Sequence, residues 1–178
     1  MEPLHLHVYP DPILSRRQPE VKKVDAQLRR QVRAMFDLMY ANKGIGLAAN
    51  QAGLPLKLMV MNLTGDPDKR EEEMVFINPK ITSASKEMIA EEEGCLSFPE
   101  VRVKVQRHAH VSLKATGLEG EDLFFDEVED LFARCIQHEM DHLAGITFVE
   151  RLDPEQRALI ADRLKAMEEA YRLKSKVS

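Results

Sequence analysis

The residues with the clearest chemistry are in the segment His138-Glu139-Met140-Asp141-His142, where two histidines have the His-Glu-x-x-His spacing. On a helix, residues four apart lie one turn apart on the same side, so both imidazoles can reach one metal ion. Glu139 is offset from that side, where it can take a proton from a bound water and return it to a leaving group. The motif therefore predicts a metal-dependent hydrolase with His138 and His142 as ligands.

Two other interpretations of the motif remain open at this point. Histidines at positions i and i+4 can lie on a solvated helix face, or they can belong to a structural zinc site. A structural site closes all four coordination positions with protein ligands and needs no glutamate beside the ion, whereas a catalytic site keeps one position for water. Glu139 thus favours an open site that takes a third ligand from elsewhere in the chain.

The candidates for the third ligand are the two cysteines, Cys95 and Cys135. Cys95 follows Glu93-Gly94 in an expected loop between strands, from which a thiolate would complete a Cys-His-His set. Cys135 precedes His138 by less than one turn of the same helix, so its reach to a shared ion is poor, and it is expected to line the pocket as a small buried hydrophobe. We therefore predict Cys95 as the ligand.

A segment rich in small residues, Gly44 to Gln51, is the other candidate for a functional role. It lacks the lysine and the Ser/Thr of a phosphate-binding P-loop and does not follow a strand, so that interpretation is weak. Small residues followed by an amide suit a backbone that closely approaches a peptide, with Gln51 as a hydrogen-bond donor.

The middle of the chain is predicted to be antiparallel sheet. Runs of β-branched and apolar residues, several alternating with charged ones, are typical of strands with one face exposed to water. These runs cover residues 56–63, 74–82, 84–91, 101–105, 110–116 and 122–125, with an expected loop at 93–100.

An N-terminal and a C-terminal helix are predicted outside this region. Residues 25–43 repeat apolar groups at helical spacing, with Asp25 as the N-terminal cap and Gly44 at the end. The last helix begins at Asp153-Pro154. Its predicted buried stripe consists of Ile160, Leu164, Met167 and Tyr171.

The helix that carries the histidines is predicted to begin at Asp126, where Glu129 three positions later would form a capping box, and to end at Gly145. Its two apolar faces have different compositions. One face, expected in the core, has Phe132, Ile136, Met140 and Leu143, and the other, expected at the site, has Leu131, Cys135, His138 and His142.

Composition limits the classes of protein to consider. The 178 residues, of which 44% are hydrophobic and 31% charged, predict a single globular domain over 1–178. The net charge of −5 gives no broad basic face for nucleic acid, although residues 172–176 are locally basic. The start lacks the features of a signal peptide, no apolar run reaches membrane-spanning length, and two cysteines are too few for a disulfide scaffold. A cytoplasmic protein without membrane contact is expected.

Taken together, three segments resemble the signature motifs of the peptide deformylase family, in the same order and at fitting separations. They are residues 44–51, Glu93-Gly-Cys-Leu-Ser97 and Gln137-His-Glu-Met-Asp-His142. Tyr9-Pro-Asp-Pro-Ile-Leu14 also resembles the opening segment of the family, so that the resemblance covers nearly the whole chain.

The resemblance implies an α+β fold in which antiparallel sheets surround the helix with the His-Glu-x-x-His motif. It implies removal of the formyl group from N-formylmethionine of newly synthesised polypeptides, with release of formate. The implied metal ligands are Cys95, His138 and His142. The native ion is expected to be Fe²⁺, which Zn²⁺, Ni²⁺ or Co²⁺ can replace.

The resemblance also implies roles for other residues. Water activated by the ion would attack the formyl carbon while Glu139 carries the proton, and the Gln51 side chain and the Leu96 N–H would donate to the oxyanion. Substrate contacts are expected from Ile45, Gly46, Gly94, Arg102, Leu131 and Cys135. Arg102 can instead be a solvated strand arginine, and Arg134 stands where some relatives have an apolar residue, which leaves the pocket rim undefined.

Partners and alternatives complete the expectations. The basic end of the last helix resembles the helix by which bacterial deformylases approach the ribosome, although a charge run is usually solvated surface.

The alternative enzyme is a zincin-type endopeptidase, which would need a downstream glutamate or histidine ligand instead of Cys95. A non-catalytic binding protein on the same fold is the alternative from another class.

Overall fold

The computed structural model describes residues 3–174, which form an α+β fold. The helices are α1 (Ala26–Ala41), α2 (Asp130–Ala144), α3 (Pro154–Leu159) and α4 (Ala161–Lys174). The strands are β1 (Gly46–Ala48), β2 (Leu58–Met61), β3 (Met74–Ala84), β4 (Met88–Cys95), β5 (Phe98–His108), β6 (Val111–Thr116) and β7 (Asp122–Val128). Short 3-10 helices lie at Pro12–Ser15, Ala49–Ala52, Arg70–Glu72 and Phe148–Arg151.

The strands form two antiparallel sheets on either side of α2. One sheet has five strands in the order β1-β2-β3-β6-β7, and the other is the β4-β5 hairpin alone. Helix α2 packs against β1 and β2 of the first sheet and against β5 of the second. The predicted class, antiparallel sheets around the motif helix with helices towards both ends of the chain, is confirmed.

Apolar burial fixes the position of each element, as the sequence pattern predicts. Helix α1 begins at its cap Asp25, whose carboxylate accepts from Gln27 N and Leu28 N, and it buries Leu28, Val32, Met35, Phe36 and Met39 against β1 and β2. In β5, Val101, Val103 and Val105 are buried and pack with Phe148, Ile160, Leu164 and Met167. Hydrophobic burial therefore holds the hairpin against the C-terminal segment.

Several predicted boundaries are wrong. The capping box at Asp126 does not exist, because β7 continues to Val128 and Asp126 accepts a hydrogen bond from Ser112 in β6; the N-terminal cap of α2 is Glu129. The expected loop at 93–100 is mostly strand, and only two residues, Leu96 and Ser97, make the turn.

Two other elements also differ from their predictions. The segment from residue 44 to 51, expected to be a loop, contains β1 and the beginning of a 3-10 helix. The last helix is interrupted at Ile160, and Tyr171 is only partly buried, whereas the other three residues of its stripe are buried. Within residues 3–174, no helix combines the length and apolar character needed to cross a bilayer.

The end of α2 provides a test of packing. Gly145 has φ +78°, and a Cβ there would lie 2.7 Å from the backbone oxygen of Ser15. We expect Gly145→Ala to lower the free energy of unfolding by about 1–2 kcal/mol through left-handed strain, and by about 1–3 kcal/mol more through the clash. Gly120→Ala is the control, because Gly120 has φ +86° with nothing within 4 Å. Equal urea midpoints for the two variants would contradict the clash.

Candidate metal centre and active site

Three side chains that can bind a metal meet at the end of the β4-β5 hairpin. His138 and His142 lie one turn apart on α2, and Cys95 is the last residue of β4. Their ligand atoms all lie within 4.8 Å of one another, and Cys95 Sγ is 3.2 Å from His142 Nε2. One soft sulfur and two imidazoles are a donor set that suits Fe²⁺, Zn²⁺ and similar divalent ions, so these residues fit a metal site.

Glu93 determines the orientation of the His138 ring. His138 Nδ1 lies 2.9 Å from Glu93 Oε2, so the other ring nitrogen faces the cluster. Burial by itself acts to lower the pKa of His138, but the nearby Cys95 sulfur and the Glu93 carboxylate raise it well above its usual value. A carboxylate behind a ligating histidine fixes the tautomer and increases its strength as a ligand.

His142 is held differently. The backbone oxygen of His142 accepts a hydrogen bond of 2.8 Å from the buried side chain of Asn50, which links α2 to the segment after β1. Burial, together with the charge of His138, lowers the pKa of His142 well below its usual value. The imidazole of His142 is therefore neutral at physiological pH, with a lone pair available for an ion.

A buried network of charges supports the two histidines, and the sequence interpretation gave none of its members this role. The Arg107 guanidinium donates to both oxygens of Glu93, at 2.9 and 3.0 Å, and to Asp141 at 2.5 Å. Arg151 also binds Asp141. The sequence contains one signal for this network: Arg107 continues the inward-facing positions of β5 after Val105, so it predicts a buried cation that needs buried carboxylates.

Glu139 lies beside the cluster without contributing to it. Its side chain is buried, and burial raises its pKa to about 7 despite the nearby charge of His138. Oε1 is next to the Cα of Gly46 in β1, where a Cβ would come within 2.8 Å of it, and Oε2 has no partner among residues 3–174. A buried carboxyl group with a pKa near neutrality can both accept and return a proton.

Neighbouring groups also fix the direction of the Gln51 amide. Its Oε1 accepts from Ala48 N at 2.9 Å, so its Nε2 points towards the cluster, 3.6 Å from Cys95 Sγ and 3.1 Å from Ser97 Oγ. Ser97 in turn donates to the backbone oxygen of His7. Gln51 therefore presents a donor to any molecule bound beside Cys95.

A cleft of about 810 Å³ leads to these groups. Every predicted substrate residue lines it: Ile45, Gly46, Gly94, Arg102, Leu131 and Cys135. Leu131 is 47% exposed and lies at the rim, whereas Cys135 is buried, and burial raises its pKa to about 12. Cys135 is thus a neutral thiol in the wall, and the metal-binding group described by the structure contains Cys95 instead.

Leu96, Arg102 and Arg134, which the sequence analysis also singled out, take distinct positions around this cleft. Leu96 lies in the turn after Cys95, and within residues 3–174 its N–H donates no hydrogen bond to the protein. Arg102 is exposed on β5 with its side chain beside Gly94, and the described residues give it no ion pair. Arg134 is buried and hydrogen-bonded to the hairpin. This contact defines the part of the pocket rim that the sequence did not predict.

Comparisons with known proteins give the family. A family model described as Polypeptide deformylase matches residues 3–158. The chain belongs to this family. It is 40% identical over 173 residues to Peptide deformylase 1B, chloroplastic/mitochondrial, of Arabidopsis thaliana, and 43% identical over 157 residues to the Peptide deformylase of Acinetobacter baumannii strain SDF. These matches cover 97% and 88% of the chain, and 63% and 87% of the two relatives.

Solved peptide deformylases have the same fold. A plant peptide deformylase superimposes with a TM-score of 0.94 at 39% identity, with 99% of this chain and 95% of that one covered. The peptide deformylase of Plasmodium falciparum gives a TM-score of 0.92 at 37% identity, covering 95% and 98%. The chain spans less than two thirds of the length of the Arabidopsis relative and of a tomato (Solanum lycopersicum) relative, at 63% and 60%.

The contact between Gly46 and Glu139 yields a kinetic prediction. In Gly46→Ala the added methyl group would displace the Glu139 carboxylate by part of an ångström or more, because its three nearest neighbours are all atoms of the Glu139 side chain. For the formate release that the sequence resemblance implies, kcat should fall by about tenfold or more, since small misplacements of a proton-carrying group are costly, while bound metal stays stoichiometric. Steady-state kinetics with metal analysis measure both, and an unchanged kcat would contradict this placement of Glu139.

Proposed function

We propose that this chain is a metal-dependent hydrolase that removes the formyl group from N-formylmethionine at the start of new polypeptides and releases formate. The observation that carries the proposal is the Cys95-His138-His142 cluster, open to a cleft and bordered by the buried carboxyl group of Glu139. Membership of the peptide deformylase family supports the same reaction. An endopeptidase of the zincin type has no such support.

The proposed cofactor is one divalent ion held by Cys95, His138 and His142. When bound there, the ion would polarise the formyl group and lower the pKa of water. Fe²⁺ is proposed as the native ion, with Zn²⁺, Ni²⁺ or Co²⁺ as substitutes. A site of one thiolate and two imidazoles accepts all four, and iron lies below zinc in the usual order of affinity.

Glu139 is proposed to move the proton. Its Oε2 is buried and has no protein partner among residues 3–174, so its lone pairs remain free to accept a proton. The ionised carboxylate would accept the proton of the attacking water, and the resulting acid would protonate the departing amine of methionine. A pKa of about 7 suits both steps at neutral pH, because neither form is strongly favoured.

Gln51 and Leu96 are proposed to stabilise the oxyanion that forms on the formyl oxygen. The Gln51 amide is held with its nitrogen towards the cleft, and Leu96 N–H has no acceptor in the described protein. Donors already in place contribute about 3 kcal/mol each at the transition state, because they need no reorganisation. The proposed methionine pocket is the part of the cleft near Ile45, Leu131 and Cys135, with Gly46 and Gly94 beside the peptide and Arg102 near its mouth.

Glu139→Gln tests the catalytic proposal. The variant keeps the shape of the side chain but cannot carry the proton, so kcat for formyl-Met-Ala should fall by about 10²–10⁴-fold. Metal content after purification without oxygen should stay at one ion per chain, because Glu139 is not in the ligand cluster. An unformylated Met-Ala peptide controls for peptidase activity. Wild-type turnover in the variant, or cleavage of the control peptide, would overturn the proposal.

Contact with the ribosome is proposed for the end of α4, in keeping with a cytoplasmic enzyme that acts on nascent chains. The basic segment predicted at residues 172–176 lies partly outside the described residues, which end at Lys174. Leu164 and Met167 belong to the core of the hairpin, so a truncation must spare them. Deletion of residues 172–178 should leave hydrolysis of formyl-Met-Ala unchanged and weaken cosedimentation with ribosomes severalfold. Unchanged cosedimentation would remove this part of the proposal.

A further inference from the structure

The proposed ligands come from two parts of the fold that no strand pairing joins. Cys95 ends β4 in the two-stranded sheet, whereas both histidines lie on α2. The distance between the sulfur and the imidazoles is therefore set by contacts between the hairpin and this helix. The buried apolar residues that hold the hairpin against the C-terminal segment, Val101, Val103 and Val105, lie on β5, and Cys95 packs against this cluster only at the end of β4.

Arg134 makes a direct contact from α2 to both strands of the hairpin. Its Nη1 donates to Glu93 Oε1 at 2.8 Å and to the backbone oxygen of Val105 at 3.0 Å. Its Nη2 donates to the backbone oxygen of Ile89 at 2.9 Å, and its Nε to Glu91 Oε2 at 3.0 Å. The Arg134 side chain is 9% exposed and that of Glu93 4%, so the bonds to Glu93 and Val105 are buried, whereas Glu91 is 58% exposed.

We propose that Arg134 is a positioning residue that sets the separation of Cys95 from the two histidines. Glu93, which Arg134 binds, is two residues before Cys95 on β4 and also contacts His138. Arg134 is in turn one helical turn before His138. The contacts form a closed ring through α2, Arg134, Glu93 and His138, so the strand backbone near Cys95 and the His138 ring cannot shift relative to each other without straining a buried charged contact.

A second link limits the size of the expected effect. Arg107 on β5 binds Glu93 within the hairpin and reaches Asp141 on α2. Without the Arg134 guanidinium this link remains, so the hairpin stays attached to α2. We expect only the position of Cys95 at the end of β4 to become more variable. Supporting residues of this kind typically change metal affinity by about 10–100-fold, and the lower end applies where one of two links is kept.

The test compares Arg134→Met with the wild type. Methionine keeps an apolar stem along the cleft and removes the guanidinium. We expect the affinity for Zn²⁺, measured by competition with a chelator, to fall about tenfold. The absorption band that Cys95 gives in the Co²⁺ form, from thiolate to metal, should weaken or shift. Unchanged affinity together with an unchanged band would overturn the inference.

Two further variants separate positioning from general stabilisation. Arg163→Met is the matched control, because Arg163 ties the same hairpin to α4 through Pro99 and Glu100, with its side chain 41% exposed and away from the cluster. It should leave Zn²⁺ affinity unchanged. Arg134→Lys keeps a buried charge for folding but cannot span four acceptors, so its affinity should stay low. Full affinity in Arg134→Lys, or an equal loss in Arg163→Met, would also overturn the inference.

This inference rests on the proposed metal site, and the same measurements distinguish the two. If the wild type gives no thiolate band with Co²⁺, the Cys95-His138-His142 site itself is wrong. If the wild type gives the band and Arg134→Met matches it both in the band and in Zn²⁺ affinity, the site stands and only the role of Arg134 is wrong. Circular dichroism of each variant verifies that α2 and the sheets are retained.

Discussion

A single buried carboxylate, that of Glu93, holds the site together. It accepts hydrogen bonds from Arg107, Arg134 and His138, and so joins the hairpin to the motif helix next to the proposed ligands. Burial alone would raise its pKa, but the hydrogen bonds from His138 and Arg107 lower it far below the ordinary range. Removing one partner from such a buried group leaves an uncompensated charge, which is why the arrangement tolerates little change.

The two arginines beside Glu93 have different consequences for the rest of the molecule. Arg107 also donates a hydrogen bond to Asp141, which accepts a second one from the partly exposed Arg151. The C-terminal part of the motif helix is therefore held by the same network. Arg134 instead binds backbone oxygens on both strands of the hairpin. Together they attach the two-stranded sheet to α2, and a sheet of only two strands needs such support.

Much of this could be predicted from the sequence, because the relevant signals are local. Helical periodicity identified α1 and the two faces of α2, and alternation identified β5 through its valines. The start of α2 was missed because Asp126 and Glu129 have the spacing of a capping box, yet the pairing of β7 with β6 extends the strand through Asp126. The pairing of one strand with another leaves no trace in the four-residue window that defines a capping box.

The same reason explains which site residues were found. Gln51, Cys95 and Glu139 stand in motifs whose residue types have a direct chemical meaning. Glu93 was quoted in a motif without a role, because its partners Arg107 and Arg134 lie 14 and 41 positions away and only the fold brings them together. The burial that raises the pKa of Glu139 likewise depends on the packing of β1 against α2.

Cys95 and His142 lie 47 positions apart in the chain and 3.2 Å apart in the fold. An ion shared by them would act as a reversible cross-link across that span, and it would stabilise the folded chain because the complete site exists only there. Metal loading would then add to thermal resistance as well as to reactivity, and the gain in stability would rise with the logarithm of the free ion concentration.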